Sequence, residues 1–156
     1  MKVFQCDGWS IYFHKLFAQQ IKEQVQEVKN LKLKLSEEEF VKHFEVKLLA
    51  AIRIGIKQKI PQNPFAPYFR LRGTLKRYHR LKKMGLNERY RLFFLPFDSV
   101  DQEKQKIIVI LWLGFPRKEG DKNDCYNVFS KMVSNGKFPT NIDELMMECE
   151  EVVSGF

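Results

Sequence analysis

Three cysteines, eight glycines and six prolines among 156 residues exclude several classes at once. Cys6, Cys125 and Cys149 are odd in number, lie far apart and show no Cys-x-x-Cys or Cys/His spacing. Neither a disulfide framework nor a zinc site is therefore indicated. Sparse Gly and Pro beside a 44% hydrophobic content exclude disorder and fibre. No apolar run approaches the ~18 residues that span a bilayer, and the N-terminus lacks the apolar core of a signal peptide. No carboxylate cluster offers itself to Mg²⁺, so no metal or other cofactor is expected. These absences predict a soluble protein of a reducing compartment.

What is abundant is Phe, with 14 residues, and positive charge, with 27 Lys and Arg against 19 Asp and Glu. The length predicts one domain over residues 1–156 that buries about two thirds of its unfolded surface. The net charge of +8 is not evenly spread. Between Arg70 and Arg91 stand nine basic residues and a single acid, Glu88, and the remainder balances to zero. A patch of that density points to a polyanion, most often nucleic acid.

Trp9 to Phe13 alternates and carries β-formers, which predicts a short first strand. From Lys15 the period changes: Phe17, Ile21, Val25, Val28 and Leu31 fall on one helical face. Ser36 and Glu39 form a capping-box pattern opening a second helix with the stripe Phe40, Phe44, Leu48, Ile52 and Ile56. Pro61, Pro64 and Pro67 make a loop. Strands are expected at Phe69–Arg72, at Tyr78–Lys83 before a Gly85/Asn87 turn, and at Glu88–Phe97. Lys106–Leu113 is apolar on both faces and reads as a central buried strand. A helix follows over Asp121–Asn135, stopped by Gly136. An acidic last helix is expected over Thr140–Val153. The order predicts an α+β fold: a short N-terminal strand, two helices, a curved antiparallel sheet of three to four strands with the helices on one side, and one or more C-terminal helices.

Side chains two apart on a strand share a face, so Arg80 and Lys82 point together, as do Arg89 and Arg91. If these strands pair, the cations converge on one face suited to a phosphodiester and to the extra charge of its pentacoordinate transition state. Cleavage without a metal is open to RNA, whose ribose 2′-OH can act as nucleophile. His79, Glu88 and Tyr126 are the candidates for proton transfer, beside a Lys or Arg in unusual surroundings. His79 is out of phase with Arg80 and Lys82 and, like His14 and His43, reads as structural; Trp9 and Trp112 read as core. Basic residues on a wet sheet face are ordinarily only solvated, and that reading stands beside the functional one.

The ordered motifs resemble a known family. Arg89-Tyr90-Arg91-Leu92-Phe93-Phe94, a hydrophobic strand, and then Asp124-Cys125-Tyr126-Asn127-Val128-Phe129-Ser130-Lys131-Met132 resemble the YhaV toxins of bacterial type II toxin–antitoxin systems. Gly8-Trp9-Ser10-Ile11-Tyr12, Lys47-Leu48-Leu49-Ala50 and Asn63-Pro64 fit the same family. The resemblance implies a RelE-like fold and a cytoplasmic toxin that cleaves mRNA, in many members on the ribosome. The implied reaction is 2′-OH attack giving a 2′,3′-cyclic phosphate. The implied partners are mRNA and an antitoxin of the PrlF type with a swapped-hairpin DNA-binding domain, through which the complex holds operator DNA; no membrane is involved.

Carried over by motif, the catalytic set is Arg80 and Lys82 as the basic pair, Arg91 in the Tyr-Arg-Leu strand, Tyr126 at the helix start, and Arg117 after the central strand. Arg80 stands where such toxins often have Lys. The segment between Arg117 and Tyr126 is longer than in RelE, so Lys118 or Lys122 could replace Arg117. Arg70, Arg72, Lys76, Arg77, Lys83, Arg89 and Lys122 would grip the RNA backbone. Two other readings remain open: a gyrase poison of the ParE kind without RNA chemistry, and a static RNA-binding module. The acidic last helix (Asp143, Glu144, Glu148, Glu150, Glu151) is expected to be solvated, with screening of the basic patch or contact with a partner as alternatives.

Overall fold

The computed structural model describes residues 4–98, 105–150, 152 and 155–156. A hairpin of β1 (Phe4–Cys6) and β2 (Trp9–His14) opens the chain. The long helix α1 (Lys15–Lys34) then buries Phe17, Ala18, Ile21 and Val25, as its 3.6-residue stripe predicts. His14 caps it, its Nδ1 accepting the Leu16 N–H at 3.2 Å.

The predicted capping box is present. Ser36 Oγ accepts the Glu39 N–H at 3.2 Å, and Glu39 Oε1 accepts the Ser36 N–H at 3.3 Å. The helix it opens is not continuous, however. α2 (Glu37–Lys42) ends at His43, whose extended backbone and Nδ1, accepting the Glu45 N–H, start α3 (Phe44–Ile54). A π-helical turn, Gly55–Lys59, and a last turn α4 (Ile60–Gln62) carry the chain to the proline loop.

Three further expectations are corrected here. Phe69–Arg72 is not a strand: Pro67–Phe69 and Gly73–Leu75 are 3₁₀ turns, and a single bridge links Arg70 to His79. Pro67 fixes φ for the first turn, and Gly73, at φ 64°, ends any extended run. The strand expected over Tyr78–Lys83 is only β3 (His79–Leu81), because Lys83 and Met84 hold left-handed backbone (φ 61° and 55°) ahead of Gly85. The acidic helix is α6 (Ile142–Met147) alone. Cys149–Glu150 instead forms β6 against β2, with Phe13 opposite Glu150. Glu151 and Val153 of that expected helix lie outside the described residues.

β4 (Arg91–Phe97) and β5 (Ile107–Gly114) pair antiparallel, and β3 pairs with β4. β2 lies parallel to β5, so the sheet order is β1-β2-β5-β4-β3, with β6 on β2. The sheet is therefore mixed and has six strands among the described residues, where a purely antiparallel three or four was expected. β5 lies in its middle, as its two apolar faces predict.

Alternation along the central strands feeds two cores. Ile11, Leu92, Phe94, Ile108 and Ile110 join Phe17, Ile21, Leu49 and Ile52 on the face covered by α1 and α3. Phe93, Leu95, Val109 and Leu111 join Phe129, Phe138 and Leu145 on the other. Helices thus cover both faces rather than one. The second cover is α5 (Cys125–Ser134), closed by a Schellman stop in which Gly136 N–H bonds Val133 O and Lys137 N–H bonds Met132 O.

Candidate active site

Arg80 lies opposite Phe93, whose ring faces the α5 side, and Arg91 stands two residues before Phe93. Both guanidiniums therefore emerge on the face that α5 covers. That helix docks through Phe129, fully buried with its ring 4.0 Å from Phe93 and nearly parallel to it; Phe93 in turn stacks on Trp112. Burying such a ring contributes about 2–3 kcal/mol. Its consequence is positional. One turn before Phe129, the Tyr126 ring meets Phe93 edge-on at 5.7 Å, and its oxygen reaches the sheet cations.

Close approach at that point depends on Gly114. A Cβ there would come within 2.8 Å of Phe93 Cε2 and 2.9 Å of Cys125 Cβ. The lack of one lets the first residue of α5 sit against the end of β5.

Tyr126 Oη accepts two hydrogen bonds, from Arg80 Nε at 2.9 Å and from Arg91 Nε at 3.0 Å. Each guanidinium is held from behind by backbone carbonyls. Arg80 Nη1 donates to Tyr68 O, and Arg91 Nη1 donates to both Glu88 O and Tyr90 O. Arg117 places its Cζ 5.0 Å from the Tyr126 ring centroid. Its Nη1 donates to Asp124 Oδ1 at 2.8 Å.

Asp124 is 3% exposed and was not singled out from the sequence as a functional side chain, although it belongs to the quoted motif. It caps α5, Oδ2 accepting the Tyr126 N–H at 3.0 Å, while Oδ1 also accepts the Lys118 N–H. An Asp directly before an amphipathic helix is the signal that could have found it. Burial pushes its carboxyl up, but the Arg117 guanidinium and the two backbone N–H groups outweigh that and hold it below its ordinary value. The same hydrogen bond keeps Arg117 more firmly protonated than usual.

Lys82 is pulled below the ordinary lysine range by the positive field of Arg80 first, then burial, Arg91, Lys83 and Arg117. The neighbouring thiol is inert: burial, with Asp124 adding, pushes Cys125 up to about 11. His79 points away from this face into the first core, 6% exposed, as its phase predicts.

A cleft of about 480 Å³ opens over the cluster, lined by Arg80, Lys82, Tyr126, Tyr68, Arg70 and Arg72 among others. A second, of about 390 Å³, is lined by Lys83, Glu88, Arg89, Arg91, Arg117 and Glu119. The structure thus brings Arg80, Lys82, Arg91, Arg117 and Tyr126 together, with Arg70, Arg72, Lys83 and Arg89 on the adjoining walls. Lys76 is exposed outside both clefts, and Arg77 turns away to donate to Thr140 O. Lys122, exposed in the turn before α5, lines neither cleft. Glu148 of the acidic segment is engaged elsewhere, accepting from buried His14 Nε2 at 2.9 Å and pairing with Lys15.

Comparison with known proteins agrees with this arrangement of motifs. No solved structure matches the chain. The ribonuclease toxin YhaV of Escherichia coli K12 is 36% identical over 153 residues, covering 93% of this chain and 94% of its own length. The toxin YhaV of Escherichia coli O157:H7 matches to the same extent. A family model described as a toxin with endonuclease activity, of a toxin–antitoxin system, matches residues 11–150. The chain belongs to this YhaV toxin family.

Proposed function

We propose that the protein is a RelE-like endoribonuclease toxin that cleaves mRNA by intramolecular attack of the ribose 2′-OH. The observation that carries this is the Tyr126 oxygen held between Arg80 and Arg91 at the floor of a cationic cleft. In the reaction the 2′ oxygen bonds to phosphorus, the bond to the 5′ oxygen breaks, and a 2′,3′-cyclic phosphate and a 5′-OH result. One proton leaves the 2′-OH and one joins the 5′ oxygen.

Arg80 and Arg91 are preorganised by carbonyl contacts and need no rearrangement to receive the phosphoryl oxygens, whose charge grows in the transition state. Lys82, its ammonium weakened by four neighbouring cations, is the group best placed to relieve the 2′-OH of its proton. Tyr126, whose oxygen already accepts twice, keeps its own O–H free to protonate the leaving oxygen. Arg117 is tied to Asp124, so we assign it charge stabilisation rather than proton transfer. Arg70 and Arg72 on one wall and Lys83 and Arg89 on the other would hold flanking phosphates. The natural partners in this reading are mRNA, free or on the ribosome, and an antitoxin of the PrlF type that covers the cationic face and carries the complex to operator DNA.

The test uses purified protein and single-stranded RNA with EDTA present. Cyclic-phosphate products are expected, together with a rate more than ~10-fold lower for Arg91→Ala. Cleavage unaffected by 2′-deoxy substitution at the cut position, or activity abolished by the chelator, would overturn the reading.

A further inference from the structure

Beside the reactive cluster lies a second feature that the chemistry above does not use. Phe115 is 48% exposed and Phe44 43% exposed, on a protein whose other phenylalanines are mostly buried. They belong to one ladder: Phe44 lies 6.0 Å from Tyr90, and Tyr90 stacks on Phe115 at 4.6 Å with 27° between the rings. Arg89 adds its guanidinium, Cζ 4.9 Å from the Phe115 centroid.

The ladder is built on rigid backbone. Gly114 pairs with Arg91 at the end of the sheet, and the Arg117 N–H donates to Arg89 O at 2.7 Å. Those two links clamp 115–117 alongside 89–91. Arg89 also lines the second cleft with Arg91 and Arg117, and Arg91 is, with Arg80, one of the two residues that bind the Tyr126 oxygen. A phosphate seated on Arg91 therefore leads directly to the ladder.

From this continuity we propose that Tyr90, Phe115 and Arg89 form a nucleobase-binding subsite, which stacks a base flanking the scissile phosphate of single-stranded RNA. The proposal rests on the endoribonuclease reading. Exposed aromatic faces interleaved with guanidinium suit unpaired bases, which stack on such platforms with little sequence demand. Carboxylates of an antitoxin would satisfy the cations but not the half-exposed Phe115 ring. Because stacking grows with ring area, the subsite favours a purine at its position.

The full-length protein would be titrated with mixed-sequence RNA bearing 2′-fluoro riboses, which lack the nucleophile, and read by fluorescence anisotropy across a salt series. Phe115→Ala should bind about 10-fold more weakly with an unchanged salt slope, since no phosphate contact is lost. Phe115→Trp should match or exceed the wild type. Equal binding by Phe115→Ala and wild type would overturn the subsite alone, provided the wild type cleaves unmodified RNA. Failure of the wild type to cleave unmodified RNA both free and on ribosomes would overturn the endoribonuclease reading, and the subsite with it. A Phe115→Ala toxin that binds RNA normally but escapes its antitoxin in cells would reassign the ladder to the protein interface.

Discussion

His79 sits on the three-residue strand that carries Arg80, with its ring among Phe65 and Phe94, 6.1 and 5.6 Å away. Neither ring nitrogen has a hydrogen-bond partner among the described residues. Burial first, and the positive field of Arg70 second, lower its pKa from 6.5 to about 4. The folded protein therefore resists a proton that the unfolded chain accepts readily. Stability is full above pH 6.5 and is lost as pH falls from there toward 4. The full window is worth about 3 kcal/mol, of which about 2 kcal/mol is gone by pH 5.

His79→Leu should remove this loss while staying close to the volume, and deleting two unpartnered buried nitrogens should leave the variant about 1 kcal/mol more stable at pH 7. Urea unfolding at pH 7, 6 and 5 measures both proteins. His14, also lowered chiefly by burial, and the carboxylates of Asp124 and Glu148 weaken both as pH falls. The difference between the two curves isolates His79. Curves that stay parallel from pH 7 to pH 5 would refute the reasoning.

Tyr126→Phe keeps the ring on Phe93 but removes the phenol. Single-turnover cleavage should slow about 100-fold or more with KM within a few-fold; a drop smaller than 10-fold would leave Tyr126 only an orienting part. Asp124→Asn loses the charge that binds Arg117 while keeping a cap, and should cost about 2 kcal/mol by thermal unfolding at pH 7. That cost should shrink as pH falls through the carboxylate range, because the wild-type carboxylate protonates there too. Gly114→Ala forces a methyl against Phe93 and Cys125. A stability loss of about 1–3 kcal/mol is expected, with activity falling further than the unfolded fraction explains, because the start of α5 moves off the sheet.

The cationic face was legible because it depends on a period of two. Arg80 and Lys82 are in phase and His79 is not, whatever the strands pair with. Tyr126 was legible as a helix-start residue; the docking that delivers it, Phe129 stacked on Phe93, comes from the tertiary structure. What escaped had local signals that were weak or pointed elsewhere. No Gly or Pro marks the break at His43; a side-chain cap competes with helix continuation there, and propensity does not register it. The parallel pairing of β2 with β5 joins residues almost a hundred positions apart, which periodicity cannot reach. Helices on both faces did have a signal: a strand apolar on both sides needs cover on both sides, and β5 is such a strand.

The site's composition explains why its geometry hangs on apolar contacts. Arg80, Lys82, Arg91 and Arg117 crowd around Tyr126 across two clefts, and their mutual repulsion shows in the lowered Lys82 ammonium. Asp124, at 2.8 Å, and the exposed Glu119, at 4.0 Å, answer one of them, Arg117. Arg80 and Arg91 are held by carbonyl dipoles and by the Tyr126 oxygen, which the stacking of Phe129 on Phe93 keeps in place by pinning α5 over the sheet. A face so short of anions is unfavourable alone and gains whenever a polyanion arrives, since each phosphate relieves repulsion already present in the fold. Substrate and an acidic antitoxin segment would draw on the same unbalanced charge, so binding of one should exclude the other by electrostatics as well as by space.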